Sequence, residues 1–161
     1  MKGIARRGAT GADFEGDDAG DAGFLVMMNE IIQDRPDVHR GWLEAELDAQ
    51  IFLADTGNAN AVAKMADDQT EGMDRKILWA SLYQDEEGRN KLTLDFIFTD
   101  KVRNMLNAST AFLAGKKKFG KRSTLRPQSV YDEVARQVLA DRGLKSPLGK
   151  IDGVPMSKYK P

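Results

Sequence analysis

Helical periodicity dominates this chain and only two short stretches read as strands, an imbalance that limits the folds open to it. The strongest helix is predicted over 36–54. Pro36 and Asp37 suit a helix start, since proline pre-sets φ and a carboxylate faces the positive end of the helix. Val38, Trp42, Ala45, Ala49 and Phe52 recur at spacings of three and four, and Leu43, Leu47 and Ala54 widen that stripe. The stripe is expected to face the core. Four more helices are predicted over 59–69, 74–83, 100–113 and 130–142, with Thr99 capping the fourth, a Ser129/Asp132 capping box opening the fifth and Gly143 ending it. A helical turn is expected over 29–35. The strand candidates are the apolar run at 23–28 and the segment 92–98. In the second, Leu92, Leu94, Phe96 and Phe98 alternate with Thr93, Asp95 and Ile97. Two isolated strands make no stable sheet in water, so they either pair beneath the helices or belong to a larger sheet.

With 161 residues, 41% hydrophobic and 30% charged, the chain can build one domain with a core. The absence of Cys excludes disulfides, a thiol nucleophile and thiolate metal sites, and the single His39 excludes a histidine-rich metal site. No apolar run approaches the length of a membrane span. The first residues are basic with no apolar stretch behind them, so no secretory signal is read, and the chain as given is expected to be cytoplasmic.

Charge is unevenly placed. Residues 1–90 carry nine Lys and Arg against nineteen Asp and Glu, a net of −10; residues 91–161 carry fifteen against six, a net of +9. The positive excess concentrates in Lys116, Lys117, Lys118, Lys121, Arg122 and Arg126. Phe119 alone interrupts that run, so the aromatic interleaving of a nucleic-acid platform is missing and no nucleic-acid partner is expected. A solvated loop is the ordinary reading.

No constellation of reactive groups stands out. His39 has Asp37 close in sequence but projecting elsewhere, and Ser109, Ser123 and Ser129 lack a nucleophile motif. Glu44 and Asp48 lie four apart on one helix face, an arrangement met far more often as solvated carboxylates than as an acid/base pair. Asp13, Glu15, Asp17, Asp18 and Asp21 lack the order of a calcium loop. Gly8–Gly11 and Gly115-Lys116 lack the spacing of a phosphate loop, and Asn107-Ala108-Ser109 fits a glycosylation pattern inside a helix. Trp42 and Trp79 are assigned to core packing. Catalytic, cofactor-binding and metal-ligating residues are each expected to be none, and the chain is not expected to be an enzyme.

The order of segments carries more than any motif. Arg35, Pro36, Asp37, Val38, Trp42, Leu43, Ala45, Glu46, Ala49 and Gln50 resemble the C-terminal part of ABC-transporter substrate-binding proteins of the nitrate/sulfonate/taurine class, also described as thiamine-precursor-synthesis-like. The resemblance continues through Asn58 to Gly72, Leu78 to Tyr83, Phe96 to Thr99, and Leu125-Arg126-Pro127 with the closing helix. It implies an α/β fold class: an incomplete lobe of a type II periplasmic-binding-protein fold, mostly helical with two short strands. Residues 1–20 would be an irregular N-terminal segment, 21–144 the partial lobe and 145–161 a flexible tail. The implied function is the solute-binding component, truncated or split, of an ABC importer for a small anion or organic compound such as nitrate, sulfonate or taurine. The implied partners are a small-molecule ligand in the complete parent fold, an ABC permease, and a missing N-terminal half or self-association; the implied location is the periplasm. The alternative is a free-standing helical protein-interaction domain with no transport activity, for which the 116–126 patch offers a surface for an acidic partner.

Overall fold

A computed structural model describes residues 26–70, 72–83, 93–116, 122–146, 148–150 and 153–160. Six α-helices account for most of them: α1 (Asn29–Asp34), α2 (Pro36–Ala54), α3 (Ala59–Gln69), α4 (Arg75–Leu82), α5 (Asp100–Gly115) and α6 (Glu133–Asp141). Pro36 occupies the first helical turn of α2, where its missing N–H costs nothing. Asp74 caps α4 by accepting the Lys76 N–H at 2.8 Å, and Thr99 caps α5 by accepting the Val102 N–H. The helices expected over 36–54 and 59–69 form at those bounds. Among the described residues, no helix is long and apolar enough to cross a membrane.

The expected α/β class is not what forms. The described residues are essentially all-helical, and the only β pairing among them is a two-residue antiparallel ladder, Thr93 opposite Lys150 and Leu94 opposite Gly149. The reading as an incomplete lobe of a type II periplasmic-binding-protein fold is therefore corrected: among the described residues, no sheet layer is present for these helices to cover.

Neither strand forms over its expected length. Of the run at 23–28, residues 23–25 lie outside the described residues, while Val26 is almost fully exposed and Met28 is the N-cap of α1. In the second segment the alternation does bury Leu94 and Phe96. Beyond Leu94, however, side chains satisfy the backbone: the Phe96 N–H donates to Ser146 Oγ at 3.1 Å and the Phe98 N–H to Asp132 Oδ2 at 3.1 Å. A neighbouring strand is not needed there.

Two small cores result. The first gathers Ala59, Ala63, Trp79, Tyr83 and Leu94, the second Leu47, Phe96, Ala135, Val138 and Leu139. Helix α2 serves both, with Leu53 and Ala54 against the first and Leu43 and Leu47 in the second, and Leu148 touches the two. Helices α3 and α4 pack on each other across the Gly72 turn (φ +75°), with Arg75 Nε on Asp67 Oδ2 at 2.6 Å. Helix α6 packs on α2 and ends in a Schellman motif: the Leu144 N–H returns to Leu139 O at 2.9 Å and the Gly143 N–H to Ala140 O at 3.0 Å, with Gly143 at φ +66°.

The capping box expected at the start of α6 is replaced. Ser129 ends a 3₁₀ turn, Pro127–Ser129, and Asp132 makes no side-chain cap bond to its own helix. Its carboxylate instead accepts from Phe98 N–H, from Arg103 Nη2 at 3.0 Å, and from Arg136 Nε and Nη2 at 3.1 and 3.0 Å.

Candidate interaction surfaces

Helix α2 carries apolar residues on two faces, and the core uses the less regular one. Leu47 is fully buried, His39 is 7% exposed, and Leu43 and Ala54 are half-buried on the same side. The periodic stripe expected to face inward points out: Val38, Trp42 and Phe52 are 39%, 55% and 40% exposed, and Ala45 and Ala49 are exposed as well. At about 1.5 Å per residue the stripe runs for about 21 Å along the helix. Two alanines one turn apart form a saddle between Trp42 at one end and Phe52 at the other.

Charges beside this stripe are matched within the molecule. Asp37 pairs with Arg35 at 3.0 Å, Glu44 with Arg40 at 2.8 Å, and Asp48 with Arg142 of the α6 C-cap. Arg40 also reaches Asp141 at 2.7 Å, so two ion pairs tie α2 to the end of α6. The guanidiniums beside Asp37 and Asp48 hold both carboxyls below the usual carboxylate range. Glu44 and Asp48 are each engaged by an arginine, Arg40 and Arg142 respectively.

The remaining reactive groups are placed just as plainly. His39 packs beside Tyr131, ring centres 5.8 Å apart, and burial holds its imidazole below the ordinary range. Asp37, its sequence neighbour, faces Arg35 instead. Ser109, Ser123 and Ser129 are exposed on separate elements. Asp13–Asp21 and Gly8–Gly11 lie outside the described residues. Gly115 ends α5 and Lys116 is its C-cap, the negative end of a helix, whereas a phosphate loop needs the N-terminal end. Asn107 spends its side-chain oxygen on the Leu125 N–H at 3.0 Å. Among the described residues, no three His, Asp or Glu side chains gather as metal ligands.

The basic stretch is partly visible. Lys116, Arg122 and Arg126 are exposed, Lys116 Nζ lies 5.4 Å from the centre of the Phe112 ring, and 117–121 fall outside the described residues. Trp79 is fully buried, as a core tryptophan should be; Trp42 is not.

A second surface involves residues within 145–161, the stretch expected as a flexible tail. Residues 153–160 lie over α3 and α4, with Val154, Met156 and Tyr159 packed against the first core. Trp79 Nε1 donates to Val154 O at 2.9 Å, and the Tyr159 ring meets Trp79 edge-on at 5.7 Å. Asn60 grips the same stretch twice, Nδ2 donating to Lys158 O at 3.2 Å and Oδ1 accepting the Lys160 N–H at 2.7 Å. A cavity of about 330 Å³ remains beside it, lined by Thr56, Gly57, Ala59, Asn60 and Trp79 together with Val154, Lys158 and Lys160. The only sequence signal for this contact is the set of three large apolar side chains in an otherwise Gly-, Pro- and Lys-rich stretch.

Comparison of the chain with protein-family models, with curated proteins and with solved structures returned no match.

Proposed function

We propose that this chain is a helical protein-interaction domain without transport activity, and that it binds its partner by packing an amphipathic helix of that partner along the α2 stripe. One observation carries the reading: the most regular apolar face of the longest helix is turned to solvent. A surface helix ordinarily turns such a face inward, and a contiguous exposed apolar ridge marks an interaction site. The straight ridge, one helix face wide, suits a second helix packed ridge into groove. A large partner side chain would seat over Ala45 and Ala49, between Trp42 and Phe52. Because arginines already match the carboxylates at its margin, binding is expected to be apolar in origin and only weakly salt-dependent. The importer reading, a solute-binding component for nitrate, sulfonate or taurine, has no comparable observation behind it.

The test uses the two tryptophans as separate reporters. Protein labelled with 5-fluorotryptophan gives one ¹⁹F resonance from exposed Trp42 and one from buried Trp79. Helical peptides of about twenty residues selected from a displayed library should shift the Trp42 resonance and leave Trp79 in place. Trp42→Ala should weaken them about tenfold or more, as for an interface anchor. Selected peptides that bind Trp42→Ala and Phe52→Asp as well as the parent chain would refute the reading. Saturable heat from nitrate, taurine or an alkanesulfonate, with Trp42 unmoved, would favour solute binding instead.

A further inference from the structure

The contact between residues 153–160 and the α3–α4 surface has the chemistry of peptide recognition. Among the described residues, the hydrogen bonds that reach this stretch from α3 and α4 all go to its backbone: Trp79 to Val154 O, and Asn60 to Lys158 O and the Lys160 N–H. The Asn60 amide, giving one bond and taking one from residues two apart, does what an adjacent strand would do for an extended chain. Such contacts are indifferent to side chains, and selectivity is left to the places where side chains insert. Here those are three: Val154, Met156 and Tyr159, at spacings of two and three. Between them the chain makes a 3₁₀ turn, Met156–Lys158, closed by the Lys158 N–H on Pro155 O at 2.8 Å and the Tyr159 N–H on Met156 O at 3.0 Å.

The fit is incomplete. Val154, Met156 and Tyr159 are only half-buried, and the cavity of about 330 Å³ stays open beside Val154, Lys158 and Lys160. A segment that was purely part of the core would be expected to bury its anchors fully.

We propose that the α3–α4 surface around Asn60 and Trp79 is a binding site for a short peptide segment of a protein partner, with a small aliphatic residue, a long apolar residue two places on and an aromatic residue three places further. The chain's own 153–160 is the resident occupant, and a partner segment of this pattern binds by displacing it. The site shares no residue with the α2 stripe, so it stands or falls separately from the helix-docking reading.

A fluorescein-labelled peptide with the sequence of residues 153–161, GVPMSKYKP, is the probe, read by polarisation against the full chain. The parent chain, its site filled from within, should bind it weakly. A full-length variant with Met156→Asp and Tyr159→Ala frees the site and should bind about tenfold more tightly. Adding Asn60→Ala to that variant should reverse the gain, and a scrambled peptide of the same composition should not bind. Equal binding by parent and released variant, no binding by a released variant of native helicity, or equal binding of the scrambled peptide overturns the proposal. Should the released variant lose its helicity, a full chain carrying a protease site between Asp152 and Gly153 decides, cleaved after folding. Departure of the peptide with helicity kept, and its return on re-addition, supports the proposal. Collapse of helicity on departure overturns it, as does a tail exchanged between two copies in the uncut chain.

Discussion

Replacing Asp132 should uncouple the segment 95–98 from α6, and the size of the loss can be worked from its contacts. The carboxylate is 8% exposed and takes four hydrogen bonds: one from the Phe98 N–H, one from Arg103 and two from Arg136. Asp132→Ala leaves the Phe98 N–H without its acceptor in a half-buried place, which costs about 1–3 kcal/mol. The arginines lose less. Arg136 is half exposed and Arg103 a third exposed, so both guanidiniums recover water, and their pairs contribute about 0–1 kcal/mol together. The sum is about 1–4 kcal/mol, equivalent to a fall in Tm of about 2–16 °C in a domain of this size. Asp132→Asn keeps an acceptor for Phe98 and should lose about 1 kcal/mol or less.

Acidity separates the two components. Burial pushes the Asp132 carboxyl up, but the Arg136 hydrogen bond and charge, the Arg103 charge and the Phe98 N–H outweigh it, leaving the folded-state pKa below the ordinary value. A carboxyl depressed in the folded state adds stability above its unfolded pKa of about 3.9, and that stability fades as pH falls through the folded value. The advantage of the parent chain over Asp132→Asn should therefore hold at pH 7 and vanish below the folded pKa. Urea unfolding followed by circular dichroism at a series of pH values measures both effects. A loss under about 0.5 kcal/mol for Asp132→Ala, or a parent-minus-Asn difference that does not change with pH, would refute this account.

Other outcomes follow from single residues. Trp79→Ala should cost about 3–5 kcal/mol and Trp42→Ala about 0.5 kcal/mol or less in the same urea assay, since one indole is enclosed and the other stands in solvent. Gly41 lies inside α2 with open space around a built Cβ, so Gly41→Ala should stabilise by about 0.5–1 kcal/mol; Gly143→Ala, equally uncrowded but at φ +66°, should destabilise by about 1 kcal/mol. The Tyr83 hydroxyl is buried without a hydrogen-bond partner, and burial together with the Asp55 charge pushes its pKa up to about 12. Absorbance at 295 nm should show that phenol ionising about two units late. Because the unfolded phenol loses its proton first, stability should fall as pH rises from about 10 towards 12, and Tyr83→Phe should remove that slope.

Helix positions were legible because α2 and α3 each carry a continuous 3.6-residue pattern with clear punctuation at Pro36, Asn58 and Gly72. The buried face of α2 was not, because two apolar stripes compete on one helix. The more regular one, Val38 to Phe52, has no neighbour, while α6 supplies Ala135, Val138 and Leu139 to the other. The segment 92–98 showed a true period of two, yet strand identity depends on the backbone's partner, and Ser146 and Asp132 lie far along the chain. The same distance hid the role of Asp132, whose local spacing to Ser129 imitates a capping box. Val154, Met156 and Tyr159 follow neither helical nor strand spacing, so their contact with α3 and α4 left no periodic trace in the sequence.

Leu148 has a consequence beyond its size. It belongs to the packing of both cores, and its N–H donates to Leu94 O at 2.8 Å, beside the ladder that holds Thr93–Leu94 against Gly149–Lys150. A chain with two separate cores can melt in two stages, each helix pair opening on its own. Here α2 packs on both cores, and Leu148 with one short crossing of backbone adds a second link between them, so loosening either half releases support from the other. Amide protons in α3 and in α6, far apart in the sequence, should therefore exchange through a common opening, and trimming Leu148 to alanine should weaken that coupling, so that the free energies reported by the two helices move apart.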